Sequence, residues 1–343
     1  MKPRKVGVFG GSGYIGGEIL RYLTAHSQVD VPWVTANSKV GEAIGDVLPN
    51  LRGFFDLEFL TLEAGAARLD EVDAAFVCLP HNKSQEVIPD FAAKFPETVF
   101  IDLGGDFRTN DPEGYQKFYG KEHVAPELLA RFVYGLTEYR REQLRGARLI
   151  ANPGCFATTL DLALAPLAAS GRLSGDVFAT GITGSSGSGN SPLLTTHHPE
   201  RASNVRSYKP LVHQHVLEVE GFLRSLTARP FRLQFVPQSG PLVRGIYATV
   251  FTPGIGKQEL EEIYREAYDK EALVHVVAGS PELRWVQGTP QSFVGTAGTD
   301  TDGVVFSVTD NLGKGAAGQA IQNLNLALGL EETEGLRVAG GYV

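Results

Sequence analysis

Val6-Gly7-Val8-Phe9-Gly10-Gly11-Ser12-Gly13-Tyr14-Ile15-Gly16-Gly17-Glu18-Ile19-Leu20-Arg21-Tyr22-Leu23 reads as an apolar strand, a glycine loop and a helix. Glycines at 11, 13 and 16 have the spacing that a dinucleotide pyrophosphate needs: a tight turn, a close approach of backbone to phosphate, and close packing of helix on strand. A glycine triplet alone is weak, and its weight here comes from its place between strand and helix; a structural turn is the alternative. The expected cofactor contacts in this loop are Gly10, Gly11, Ser12, Gly13, Tyr14, Ile15 and Gly16.

Working outward, Val29 to Thr35 reads as the second strand. Where an acidic residue would bind a ribose 2′-hydroxyl, the chain has Thr35-Ala36-Asn37-Ser38-Lys39. Without a carboxylate to repel it, a 2′-phosphate meets Ser38 as donor and Lys39 as counter-charge, so NADP is expected over NAD, with Thr35, Ser38 and Lys39 as cofactor contacts and a solvated polar turn as the alternative. Ala74 to Pro80 is a continuous apolar run, as in a parallel strand buried on both faces, and makes Cys78 a core residue. Pro80 and His81 follow at its carboxyl end, where ligands of open α/β sheets bind; Asn82 or Ser84 equally suits a helix cap. Thr98 to Leu103 is another strand. Arg108 lies beyond its end, either as an anion clamp or paired with Asp102, Asp106 or Asp111.

The chain has 343 residues, 43% hydrophobic and 20% charged, which suits a globular protein of about two domains. A net charge of −8 argues against broad nucleic-acid binding. Two cysteines, Cys78 and Cys155, give no disulfide framework. No run reaches the ~18 apolar residues of a membrane span, and the start lacks an apolar signal core, so a cytoplasmic protein is expected.

Leu149 and Ile150 lead into Asn152-Pro153-Gly154-Cys155-Phe156-Ala157-Thr158-Thr159, which reads as strand, turn, helix. A cysteine in the first helical turn is close to backbone N–H groups without intrahelical partners and to the positive end of the helix dipole, and both favour thiolate. Cys155 is therefore a candidate nucleophile; inert packing is the alternative. Beyond the strand Val177 to Thr183, the composition turns to glycine and serine from Gly184 to Pro192. His197, His198, Arg201, Arg206 and Lys209 then crowd one polar loop, which reads as a substrate-binding segment that orders around an anion, or as a linker. Val212 to Leu223 has helical spacing, and on a helix His213 and His215 would point in different directions, so only one is expected to reach Cys155; His215 is the first choice as acid/base and His213 the second. Neither spaced histidines nor paired cysteines suggest a metal. Strands are expected at Phe231–Val236, Gly245–Thr252 and Leu273–Val277, with a helix from Leu260 to Tyr268. Gly303 to Val308 then runs into Asn311-Leu312-Gly313-Lys314-Gly315, read as a glycine turn whose N–H groups face an anion or amide, with Asn311, Lys314 and Gly315 near the cofactor.

Together the Gly-Gly-Ser-Gly-Tyr-Ile-Gly loop, Asp102 to Arg108, the Asn-Pro-Gly-Cys turn, the His-Gln-His helix and the run Asp310 to Ala320 resemble the N-acetyl-γ-glutamyl-phosphate reductase family. The resemblance implies an α/β protein with an NADP-binding Rossmann domain (1–153 and 310–343) and an α+β substrate and dimerisation domain of the semialdehyde dehydrogenase type (154–309), whose last helix returns to the first domain. It implies Cys155 as nucleophile, with Arg108, Asn152, His198, Arg201 and Lys209 as candidate substrate contacts, and a homodimer or homotetramer. Thr196 to Ala202 with Tyr208-Lys209-Pro210 also looks like the lysine-pathway branch, which reduces an aminoadipate 6-phosphate attached to an acidic amino-group carrier protein. Asn152-Pro153 before Gly154-Cys155 favours the arginine reading. An aspartyl-phosphate enzyme or a non-catalytic NADP-binding regulator are the remaining alternatives.

Overall fold

The computed structural model describes residues 2–341. The chain divides into two compact units, one running up to Pro153 and taking in Ala316–Val338, the other comprising Gly154–Gly315 with the chain from Ala339. The return comes at Ala316 rather than at residue 310, because side-chain bonds of Asp310 hold the intervening turn in the second unit.

The first unit is built on β1 (Arg4–Phe9), β2 (Val29–Asp30), β3 (Val34–Thr35), β4 (Phe59–Leu60), β5 (Ala74–Val77), β6 (Val99–Asp102), β7 (Val133–Tyr134) and β8 (Leu149–Ala151). They form a parallel sheet in the order β4-β3-β1-β5-β6-β8-β7, with β2 also paired to β1. The single strand expected from Val29 to Thr35 is two short ones. Pro32 lies between them and has no N–H to give to a ladder. Every residue of β5 and β6 is buried, as befits strands covered on both faces. The helix Gly318–Ala327 is buried along its whole length and packs against Tyr14–Leu23, Thr137–Leu144 and β6.

The second unit carries β9 (Gly175–Thr183), β10 (Arg206–Ser207), β11 (Phe231–Ser239), β12 (Ile246–Pro253), β13 (Val274–Ala278), β14 (Ser292–Gly298) and β15 (Asp302–Thr309) in the order β10-β11-β9-β12-β15-β14-β13. The sheet is mixed: β9 runs parallel to β11, while β12 is antiparallel to both β9 and β15. The helix Cys155–Ala169 lies on β12 and β15 and against the helix Gln214–Leu223. It is apolar on nearly every side and buried from Phe156 to Ala168, so it is the core of this unit. Alternate residues of the strands point away from it, and Phe178 and Phe251 on that other face are 52% and 47% exposed. Among the described residues no helix is long and apolar enough to cross a membrane.

Candidate active site

The glycine loop of the first unit has no room for side chains at the positions that matter. A Cβ on Gly10, whose φ is +76°, would strike the Cys78 carbonyl oxygen; one on Gly11 would strike Val34, and one on Gly16 the Gly10 carbonyl. Gly13 differs. It caps the helix Tyr14–Leu23, and the nearest atom to a Cβ there is the Gly10 carbonyl oxygen at 3.6 Å, so the space before the helix N-terminus is clear for a phosphate. The loop therefore fits a dinucleotide. Thr35 holds it from below: its Oγ1 accepts from Gly10 N–H at 3.2 Å and its carbonyl from Gly11 N–H at 2.8 Å. At 2% exposure, Thr35 is a prop for the loop and not the surface contact expected of it. Ser38 is exposed, and Lys39 Nζ lies 3.2 Å from Glu42.

After β5, Pro80 and His81 are exposed and the His81 ring meets Tyr119 edge-on at 5.6 Å. Buried Asp106 fixes this loop by accepting from Asn82 N–H at 2.8 Å, Gln85 N–H at 3.1 Å and the Tyr115 hydroxyl at 2.9 Å. Arg108 directs Nε to the Asn152 carbonyl at 2.7 Å and Nη2 to the Leu103 carbonyl at 2.9 Å, so its fork ties β6 to the end of β8. Asn152 is 1% exposed. Its Oδ1 accepts from Asn323 Nδ2 at 3.0 Å and its Nδ2 donates to the Ala316 carbonyl at 3.2 Å, which makes it a structural latch instead of the expected substrate contact.

In the second unit Cys155 is half-buried and is the first residue of its helix, with Gly154 as the cap residue. Gly154 N–H donates to Glu218 Oε1 at 2.7 Å. The amides of residues 155–157 are the next ones that an α-helix does not satisfy internally. Phe156 touches both imidazoles, at 5.7 Å from His213 and 6.4 Å from His215, and packs on Phe235 at 5.1 Å. The histidine rings do not diverge: they meet edge-on at 4.7 Å. The reason is that His213 is not in the helix. It is the cap residue, with ψ of 135°, and its Nδ1 accepts from His215 N–H at 3.2 Å. Burial, then the Lys209 charge, pushes the His213 imidazole down to about 4, so it is neutral near pH 7. Tyr208 lies 5.7 Å from His213, and burial followed by the negative charge of a Cys155 thiolate pushes its hydroxyl up.

His198 and Lys209 are exposed, the latter with φ of +44° and Nζ 3.1 Å from Gln214 Oε1. Arg201 is 9% exposed. It donates to Ser239 Oγ and to the carbonyls of Thr183 and Leu242, both at 3.2 Å, so it anchors the loop to the sheet. Gly315 packs on Cys155, where an added Cβ would come within 3.1 Å of the cysteine Cβ. The turn before it is not open to an anion as expected: Asp310 Oδ1 already accepts from Leu312 N–H at 2.9 Å and Gly313 N–H at 3.2 Å. Asn311 and Lys314 are buried as well. Two residues at the site are not among the candidates the sequence offered. Glu218 stands three places after His215, a spacing that puts both on one helix face; Asp310 directly precedes Asn311 at a strand end.

The chain matches the semialdehyde dehydrogenase NAD binding domain over residues 5–147 and the semialdehyde dehydrogenase dimerisation domain over 155–311. It is 40% identical to an N-acetyl-γ-glutamyl-phosphate reductase of Desulforudis audaxviator, over 98% of this chain and 99% of that one. It is 42% identical to a LysW-L-2-aminoadipate 6-phosphate reductase of Deinococcus radiodurans, over 99% of this chain and 98% of that one. Among solved structures, aspartate semialdehyde dehydrogenase II of Vibrio cholerae aligns with a TM-score of 0.73 at 17% identity, over 95% of this chain and 99% of that one.

Proposed function

The chain belongs to the semialdehyde dehydrogenase family, in the group that holds the N-acetyl-γ-glutamyl-phosphate reductases and the LysW-linked aminoadipate 6-phosphate reductases, and from this we propose that it reduces N-acetyl-L-glutamyl 5-phosphate to the 5-semialdehyde and phosphate, with NADPH, in arginine synthesis. The observation that carries the reading is Cys155 at a helix N-terminus, with a pair of buried histidines against the next residue.

The Cys155 thiolate attacks the acyl carbon, the first-turn amides of residues 155–157 hold the oxyanion, phosphate leaves, and a thioester remains. When bound to the glycine loop, the nicotinamide cofactor supplies hydride; Ser38 and Lys39 support the phosphorylated form. His215 gives a proton to the oxygen of the tetrahedral adduct and takes it back as the C–S bond breaks, so that collapse of the thiohemiacetal returns the thiolate and releases the aldehyde. His213, neutral and with Nδ1 occupied by an N–H, carries its own proton on Nε2 and orients its neighbour. Glu218 holds the Gly154 amide and with it the nucleophile turn. Lys209 and His198 are the exposed side chains offered to the substrate's anionic groups.

One observation favours the carrier-linked reading. The loop around the basic residues exposes Leu194 at 75%, Val212 at 62% and Val205 at 55%, an apolar and basic surface that suits an acidic protein better than a small anion. The open sheet face with Phe178 and Phe251 is the surface we assign to a homodimer. A nucleophilic thiol fits the reducing cytoplasm.

The test is the reverse reaction, NADP-dependent oxidation of N-acetylglutamate semialdehyde with phosphate, beside the carrier-bound aminoadipate semialdehyde. Preference for the free acetylated substrate is expected; preference for the carrier-bound one would assign the enzyme to the lysine branch. Cys155→Ser should abolish turnover while NADPH binding persists, and turnover near wild type would remove the nucleophile.

A further inference from the structure

We propose that Asp310, neutralised by Arg244, is a positioning residue for Cys155: it sets the turn that presses Gly315 against the nucleophile. The inference rests on Cys155 being that nucleophile.

Asp310 has no solvent exposure, and a buried carboxylate is costly unless it is paired and hydrogen-bonded. Its Oδ2 takes Arg244 Nε at 2.9 Å and Gly288 N–H at 2.5 Å. Its Oδ1 takes Leu312 N–H at 2.9 Å, Gly313 N–H at 3.2 Å and the same Arg244 Nε at 3.2 Å. One carboxylate thus joins the loop before β12, the loop before β14 and the turn after β15. Its own carbonyl then accepts from Gly315 N–H at 2.9 Å.

The turn so held has little freedom. A Cβ on Gly313 would strike the Thr289 carbonyl, and one on Gly315 would lie 3.0 Å from the Asp310 carbonyl and 3.1 Å from Cys155 Cβ. Asn311 reinforces it from the other side, accepting from Gly245 N–H at 2.7 Å and donating to Ser186 Oγ at 3.0 Å. A hub serving stability alone would have no reason to end on the wall of the nucleophile. This one does, and it fixes how far the thiol can move and which side of it an acyl carbon can approach.

Asp310→Asn keeps the shape and one acceptor but removes the charge, and Arg244→Gln removes the neutralising cation. Both are compared with wild type in the semialdehyde oxidation assay, in Tm, and in the rate of Cys155 alkylation by iodoacetamide. The expected result in folded variants is a kcat lowered by about tenfold to hundredfold, a semialdehyde KM that changes much less, and an altered alkylation rate, with Arg244→Lys recovering part of the loss. A lowered Tm with kcat and alkylation both unchanged would make Asp310 a stability residue and overturn the proposal. If Asp310→Asn does not fold, Gly315→Ala decides, because it meets Cys155 without touching the carboxylate: loss of kcat supports the proposal and normal kcat overturns it. Wild-type turnover that survives Cys155→Ser is a separate result, and it overturns the nucleophile reading beneath the proposal.

Discussion

Cys78 and Cys155 are both partly exposed; Cys78 follows the end of β5, whereas Cys155 opens a helix. Cys78 is thus not the fully buried core residue expected of it. Burial pushes the Cys78 thiol up, while Cys155 is the first residue of its helix. That contrast was legible from an apolar run in one case and an Asn-Pro-Gly turn in the other. The roles of Asn152, Arg108 and Arg201 were not, because most of their partners are polar groups distant in the chain, which leave no local pattern. The two histidines can be separated experimentally. His215→Asn should lower kcat by about a hundredfold or more, the usual range for a lost acid/base, whereas His213→Asn should lower Tm more than kcat; equal kcat losses would deny the division of roles.

Asp102 supplies a pH test. Burial first, then Asp106, raises its carboxyl to about 7. Between its unfolded value of about 4 and that folded value, the native chain holds a proton that the unfolded chain has released, so this contribution is full below pH ~4 and is lost as pH rises through the folded pKa. His213 runs the other way, since its folded value lies below the ordinary one: its contribution is present above about 6.5 and lost as pH falls through the folded pKa. Urea unfolding of Asp102→Asn should therefore gain on wild type as pH goes from 4 to 8. Parallel stability curves would place the proton elsewhere.

At the scale of elements, the glycine loop, the buried strands and the cysteine helix followed from periodicity and turn residues. What periodicity could not supply was tertiary. His213 is a cap and not a helical residue because its side chain finds the His215 amide, and Gly313–Ala317 winds as a π turn under the constraint of Asp310. The C-terminal helix shows the same dependence. Asn323 accepts from the Thr137 hydroxyl at 2.9 Å and donates to the Gly135 carbonyl at 2.9 Å and to Asn152 Oδ1 at 3.0 Å, all of them buried or nearly so. Asn323→Ala would strand these groups and should destabilise the protein by about 3 kcal/mol, read as a lower urea midpoint. A change within error would mean that water replaces the amide.

For the whole molecule, the helix Cys155–Ala169 lies on one face of the second unit's sheet, and Phe178 and Phe251 are exposed on the other. Phe178→Asp with Phe251→Asp should shift the particle mass in analytical ultracentrifugation to that of a single chain; an unchanged mass would put the contact on another surface. The central claim, that reduction passes through a thioester on Cys155, is tested most directly by mixing the protein with N-acetylglutamate semialdehyde and NADP in the absence of phosphate. The account predicts a rapid burst of NADPH stoichiometric with protein, then steady turnover when phosphate is added, and no burst in Cys155→Ser. A wild-type enzyme that forms no burst yet turns over with phosphate, or a Cys155→Ser enzyme whose burst is intact, would contradict it.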